Sequence, residues 1–398
     1  MKVFVVNCGS SSIKYQLFDM SDESVLAKGL LERVGGDAAL HHKGRGGKLD
    51  RSVDAPDHGT GLRLILDVLV DPQVGVIGKI DEIDGVGHRV LHGGEQATHP
   101  TVIDETIIEI IKQNIELGPL HNPANLAGIE AALQVMPTAP EVAVFDTAFF
   151  ATMPPKAHRY AVPEQWYAKH HVRKYGFHGT SHRYVTLHAA EMLGKDPKEV
   201  CLITTHLGNG CSVTAVANGQ AVDHSMGLTP LEGLMMGTRS GDLDPTVFPY
   251  MISRGMSAEQ VEQALNKSSG LLGVSQTSND MRDLESAADA GDERAKLAIE
   301  MFVYRVVKYI GAYYTILPRL DAVVLTGGVG ENSKTIRQKI CDGIQRLGAD
   351  LDQARNNAIV GGKEGAITTE SSELGVWVVP TNEELMIARD TKRLVSAL

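Results

Sequence analysis

Three short apolar segments run straight into glycine-rich turns, and their repetition constrains the fold of this chain more than any other feature. The first, Val3 to Val6, enters NCGSSS (7–12) and continues as the stretch Ile13 to Asp19. The second, CLITT (201–205), passes through HLGNG (206–210) into CSVTAVA (211–217), after which Asn218-Gly219 is a strong hairpin signal. The third, AVVLT (322–326), enters GGVGENS (327–333) and then a helical pattern with Ile336, Ile340, Ile344 and Leu347 on one face. Two strand–turn–strand units about 200 residues apart predict an internal duplication. The expected architecture is α/β, with two similar domains that each present a glycine turn to a shared cleft.

A length of 398 residues allows two domains with real cores. Hydrophobic residues at 43% and charged residues at 22% exclude a disordered or collagen-like chain. Net charge is 38 − 49 = −11, a field that repels nucleic acid and anionic membranes. A small anionic substrate therefore needs a local basic site. Cys8, Cys201, Cys211 and Cys341 form no C-x-x-C pair and read as free thiols of a reducing compartment. The apolar run Val3–Val6 is too short for a signal-peptide core, and no stretch approaches the ~18 apolar residues of a membrane span. A cytoplasmic location without a membrane partner is expected.

Apolar stripes predict helices over Gly61–Val70 and Glu105–Glu116, and a buried helix over Arg294–Leu317 ended by Pro318. EVAVFDTAFF (141–150) reads as a central strand with Asp146 near its end. The domain boundary is expected just after it: residues 1–150, completed by a C-terminal helix at 383–398, and residues 151–382. For that helix, Thr381 is the expected N-cap and Glu384 its capping-box partner. Glu384 then has a structural role, which leaves Glu383 as the better metal-site candidate.

The chemistry-bearing residues fall in the turns. Gly9 to Ser12 offers backbone N–H groups and the hydroxyls of Ser10 and Ser12, which can cradle phosphate oxygens as amide nests do, with Lys14 returning on the next strand. An ordinary hairpin would read the same, and the G-x-x-x-x-G-K-[ST] spacing is absent. Glycine turns such as Gly208-Asn209-Gly210 let a ligand approach the backbone, and Gly328 to Asn332 opens a helix, whose N-terminus favours anions. Arg89, His121, His178 and Arg239 all sit in glycine- or proline-rich loop sequence. Loop arginines are mostly solvated, yet a guanidinium suits a two-pronged grip on carboxylate or phosphate. Mg²⁺ sites combine one or two carboxylates with water and nucleotide phosphates, and Asp146 and Glu383 are the candidates.

Read in order, NCGSSSIKYQLFD, GHRVLHGGE, PLHNPA, VAVFDTAF, YGFHGTSHRYV, HLGNGCSV, SMGLTPLEGLMMGTRSGDLDP, TGGVGENS and VVPTNEELMIARDT resemble the acetate kinase family from Asn7 to Thr391. The resemblance implies the fold of the acetate and sugar kinase, Hsp70 and actin superfamily: two duplicated actin-like (ribonuclease H-like) ATPase domains. The acetate side would lie in the first domain and nucleotide binding in the second. It implies reversible transfer of the γ-phosphoryl of ATP to acetate, giving acetyl phosphate and ADP, and a homodimer; direct in-line transfer is expected, with a phospho-Glu383 intermediate as the rival. By the same resemblance, Asn7 and Glu383 match the Mg²⁺ site (Mn²⁺ being the alternative metal). Lys14 with the Ser10–Ser12 turn, His206, Leu207, Gly208, Asn209, Gly210, Asp280, Met281, Arg282, Gly328, Val329, Gly330, Glu331 and Asn332 match the ATP site. Arg89 matches the acetate-binding arginine, and Leu91, Leu120, Phe177 and Pro230 the methyl pocket. Asp146 matches the active-site aspartate, and His178, Arg239 and His121 the transition-state donors.

The sequence departs from that pattern in three places. Leu91 stands where valine is frequent, Phe150 where histidine is expected, and His224 where threonine is usual. One methylene in a pocket is worth roughly 1–3 kcal/mol of discrimination, so Leu91 narrows the space for longer acids. The alternatives are a propionate or short-chain carboxylate kinase of the same family, an actin- or Hsp70-like ATPase without an acceptor, and a sugar kinase, which needs a polar pocket and a base.

Overall fold

The computed structural model describes residues 1–119 and 121–398. The chain divides into two compact units, residues 1–149 with 382–398, and residues 150–381.

The first unit is built on strands β1 (Lys2–Gly9), β2 (Ser12–Asp19), β3 (Ser24–Glu32), β4 (Asp37–Gly44), β5 (Gly47–Asp54), β6 (Gly85–Val90), β7 (Thr101–Val102) and β8 (Glu141–Phe145). Their order in one sheet is β5-β4-β3-β2-β1-β6-β8-β7. β1 pairs antiparallel with β2 and parallel with β6, and β6 pairs parallel with β8. β1 is buried from Val3 to Val6 because helices cover both faces at the sheet centre, which is why its sequence is a continuous apolar run. The helices are α1 (His58–Leu69), α2 (Glu105–Gln113), α3 (Asn122–Val135) and the C-terminal helix Glu383–Val395.

β6 shows how the sequence sets the position of the C-terminal helix. Gly85, Gly87 and Arg89 share one face of the strand, since side chains alternate. A Cβ on Gly87 would lie 2.5 Å from Thr391 Oγ1 and 2.6 Å from Ile387 Cγ2, so only glycine lets the helix approach this closely. With the helix seated on the two glycines, its first residue, Glu383, reaches Arg89.

The second unit repeats the plan. Its strands β9 (Leu202–Leu207), β10 (Cys211–Ala217), β11 (Gln220–His224), β12 (Ala322–Thr326), β13 (Gly365–Ala366) and β14 (Gly375–Val378) lie in the order β11-β10-β9-β12-β14-β13. Here β9 pairs antiparallel with β10 and parallel with β12, and β12 parallel with β14. The run β11-β10-β9-β12-β14 therefore matches β3-β2-β1-β6-β8 in order and in strand direction. The duplication expected from the glycine turns is present in the topology.

Two local expectations need correction. Helix Glu293–Ile316 is not buried all round: Ala298, Phe302, Val306 and Ile310 face the core, while Leu297, Met301, Tyr304 and Tyr314 are exposed. The C-terminal helix is capped by Asn382, whose side chain accepts from the Leu385 N–H, so no Thr381–Glu384 capping box forms. Instead, the Thr381 hydroxyl donates to Ser181, and its N–H donates to Glu331. Among the described residues no helix is long and apolar enough to cross a membrane. The four cysteines are free and buried.

Candidate active site

In the first unit the site begins where β1, β6 and β8 end side by side. Asp146 follows β8 directly, its N–H bonded to the Val90 carbonyl and its side chain fully buried. Arg89 meets it with two prongs, Nε to Oδ1 at 3.1 Å and Nη2 to Oδ2 at 2.5 Å. Glu383 Oε2 stands 3.8 Å from Arg89 Nε. Burial works against the arginine's charge, but Asp146 and then Glu383 overcome it and raise its pKa. Burial pushes the Glu383 carboxyl above its usual range, with Asp146 and Glu384 adding to the rise and Arg89 and Lys14 opposing it. One guanidinium thus faces two carboxylates, with the Lys14 ammonium as a further positive charge acting on Glu383.

Beside this cluster lies a cavity of about 130 Å³ lined by Asn7, Ser12, Lys14, Arg89, Leu91, His121, Cys8, Gly9 and Asn125. It is small against the ~300–1,000 Å³ typical of ligand pockets. The Gly9–Ser12 turn is a two-residue hairpin, and His58 Nε2 sits 2.8 Å from the Gly9 carbonyl. Ser10 is exposed at its tip. His121 precedes α3 as its N-cap. Asn125, on the first turn of α3, ties the walls together: its amide donates to the Cys8 carbonyl at 2.8 Å and accepts from the Leu91 N–H at 3.0 Å. The sequence reading passed over Asn125. Its signal was a polar residue on the inward face of an otherwise apolar helix, three positions after the PLHN string. Leu120 lies outside the described residues.

The second unit assembles a different set. Gly210 ends the β9–β10 turn, and a Cβ there would lie 3.3 Å from His178 Nε2 and 3.6 Å from Arg239 Nη1. The glycine therefore keeps open the space beside the two side chains. Arg239 Nη1 donates to the Pro230 carbonyl at 3.0 Å and touches Met236 Sδ at 3.6 Å. Among the described residues no carboxylate pairs with it, and burial lowers its pKa. His178 adopts a left-handed backbone (φ 60°) at the start of helix Gly179–Met192. Its ring stacks on His206 with centroids 4.4 Å apart, and its Nδ1 lies 2.9 Å from Ser212 Oγ. Ser212 in turn lies 2.7 Å from His182 Nε2, and Ser181 Oγ 2.8 Å from His206 Nδ1. These supports went unread in the sequence, although Ser181 and His182 stand in the same GTSH string one helical turn from His178. Phe177 is buried beside His178, and Pro230 is partly exposed.

The remaining nucleotide-side candidates are more occupied than the sequence suggested. Asn209 Oδ1 accepts from Asn279 at 3.0 Å, while its carbonyl accepts from the Gly237 N–H. Leu207 is buried in β9, and Gly208 donates its N–H across the turn to Gly210. Arg282 folds back on Asp280, whose carboxyl is lowered to about 2 by the side-chain and backbone hydrogen bonds it receives. Met281 is core. The helix that Gly328, Val329 and Gly330 open spans only Gly327–Asn332. Glu331 takes the Gly327 N–H at 2.9 Å, so one N–H of the expected anion-binding helix end is used by the chain's own carboxylate. Asn332 donates to the Gly328 carbonyl and accepts from the Gly361 N–H.

Comparison with known proteins bears on both clusters. The sequence model of the acetokinase family matches residues 2–389. The chain is 52% identical to the acetate kinase of Finegoldia magna over 396 residues, covering 99% of this chain and all of that protein. Its structure is similar to that of Porphyromonas gingivalis acetate kinase, with a TM-score of 0.95, 47% identity and 99% of each chain covered. A propionate kinase from Francisella tularensis is similar at a TM-score of 0.92 and 42% identity, again over 99% of each chain.

Proposed function

The chain belongs to the acetokinase family, and from that premise we propose how its two clusters pass the γ-phosphoryl group of ATP to acetate, giving acetyl phosphate and ADP. It is a phosphotransferase with a carboxyl group as acceptor, on two duplicated actin-like domains. The observation that carries the division of labour is the contrast in charge. The first unit gathers carboxylates around one arginine, and the second holds an arginine with no carboxylate partner among the described residues.

Acetate has a carboxyl pKa near ~4 and is ionised at neutral pH, so the acceptor needs no base. Asp146 therefore acts by holding Arg89. The pair uses two of the five guanidinium N–H groups and leaves three for the acceptor carboxylate. Leu91 forms the apolar wall of the cavity, and Phe177 and Pro230 are assigned to the methyl side. In the second unit, Arg239 and His178 receive the charge of the phosphoryl group in flight, where positioning and neutralisation supply most of the catalysis. His121 is assigned a supporting donor role. Transfer is direct and in line, and the glycine turns at 208–210 and 327–330 serve the nucleotide.

A divalent cation suits the first cluster, because the amide oxygen of Asn7 and the carboxylate of Glu383 are the donors that a hard ion such as Mg²⁺ takes. Bound there, it would add positive charge beside Arg89 and Lys14 and favour the ionised form of Glu383. The exposed stripe Leu297, Met301 and Tyr304, one helical turn apart, supports a homodimer through the second unit. Four free thiols support a reducing, cytoplasmic setting.

The test is acetyl phosphate formation, trapped as the hydroxamate, with acetate, propionate and butyrate each offered beside MgATP. Acetate is expected to react best. Preference for propionate would overturn the role given to Leu91. ATP hydrolysis without any acyl phosphate would overturn the transferase reading itself.

A further inference from the structure

Phe150 and His224, two of the departures from the family pattern, fall against each other in the second unit, with ring centroids 4.1 Å apart. Histidine was expected at the first position and threonine at the second. This chain carries its imidazole on the other member of the touching pair.

His224 is fully buried, and both ring nitrogens are engaged. Nε2 lies 3.1 Å from the Phe177 N–H. A backbone N–H can only donate, so Nε2 is the unprotonated nitrogen and Nδ1 carries the proton, 2.8 Å from Thr214 Oγ1. Burial, then His182 and Lys174, hold the ring neutral, which keeps Nε2 an acceptor.

The bond lands at a demanding place. Phe177 sits between Gly176 and His178, and both neighbours have left-handed backbones, φ 81° and 60°. A non-glycine residue persists in that region only where its surroundings hold it. A Cβ on Gly176 would lie 2.6 Å from the Phe150 ring and 3.0 Å from His224 Cδ2, so the ring pair packs directly on bare backbone. The Tyr175 N–H is bonded to the Gly227 carbonyl, and Lys174 Nζ to the His224 carbonyl. Ser212, braced by His182, holds the His178 side chain, and His224 holds the N–H of the residue before it.

We propose that His224 is a positioning residue for phosphoryl transfer: through the Phe177 N–H it fixes the left-handed turn that aims His178, and Phe150 and His224 act as a coupled pair. The proposal rests on the role given to His178 above. His224 itself touches no reacting atom.

The experiment is steady-state kinetics with thermal unfolding on the full-length protein. His224→Leu leaves the Phe177 N–H without its acceptor, and kcat is expected to fall about tenfold with KM for MgATP within about twofold. His224→Gln offers a side-chain carbonyl to the same N–H and should keep kcat within about threefold of the parent. His224→Thr should lose activity as the leucine variant does, and adding Phe150→His should return most of it, a coupling that independent sites would not show. Should the leucine variant fail to fold, the glutamine and double variants still decide. The proposal is overturned if kcat per folded molecule survives in His224→Leu, if His224→Gln is no better than His224→Leu, or if Phe150→His gives no recovery. His178→Ala separates the two readings. Full activity there would remove the role of His178, whereas lost activity there with an active His224→Leu would remove only this inference.

Discussion

Arg89 and Arg239 are both drawn in from solvent, yet they are held by opposite means. Arg89 grips Asp146 with two prongs and has Glu383 3.8 Å away. Arg239 gives one N–H to a carbonyl, and no carboxylate pairs with it among the described residues. A buried pair broken from one side leaves an uncompensated charge, whereas a half-buried guanidinium with no acid partner costs stability as it stands. The difference teaches that the first arginine is bound into the architecture by acids of its own unit, while the second keeps its charge beside a carbonyl, with no acid paired to it among the described residues.

The sharpest way to break this comparison is to replace each arginine by leucine. Arg89→Leu removes the guanidinium that grips the buried Asp146 and should destabilise the protein by about 3–5 kcal/mol, read as a lower melting temperature. Arg239→Leu should leave melting unchanged or raised, while kcat falls by about 10²–10³ with a smaller change in KM for acetate. Equal stability losses would dissolve the contrast.

Asp146→Asn comes next. It keeps the shape and one acceptor but removes the charge opposite Arg89, so KM for acetate should rise about tenfold while KM for MgATP moves little. A loss confined to Mg²⁺ affinity would instead assign Asp146 to the metal. On the other side, Gly210→Ala adds a Cβ 3.3 Å from His178 Nε2, and kcat should drop several-fold with little change in melting. The smallest effect is expected from Leu91→Val. Removing one methylene from the cavity wall should raise the propionate-to-acetate ratio of kcat/KM about five- to tenfold.

How far this contrast was legible in the sequence depends on the range of the interactions involved. The duplication could be read because a strand entering a glycine turn is a local pattern, and both copies kept it. Asp146 and Glu383 were singled out by position in motifs, but the capping-box reason offered for Glu383 failed. Asn382 caps the helix, and Glu383 reaches Arg89 because Gly85 and Gly87 let that helix sit close to β6, a contact across about 300 residues of chain. Glu331 takes one N–H from Gly327, four residues away, and a second from Thr381, 50 residues away, and only the second contact lies beyond the range of local sequence patterns. Helix Glu293–Ile316 reads as buried from the sequence because apolar periodicity does not say how much of a broad apolar arc is covered; Tyr314, at the arc's edge, is exposed.

The Arg89 cluster and the Arg239 cluster are proposed as the acceptor and donor sides of one direct transfer. The most direct test is the stereochemical course at a chiral, isotopically labelled γ-phosphate of ATP, followed into acetyl phosphate. A single in-line displacement predicts inversion at phosphorus. Net retention would require two displacements through a phosphorylated side chain, with Glu383 the first candidate, and would contradict the account.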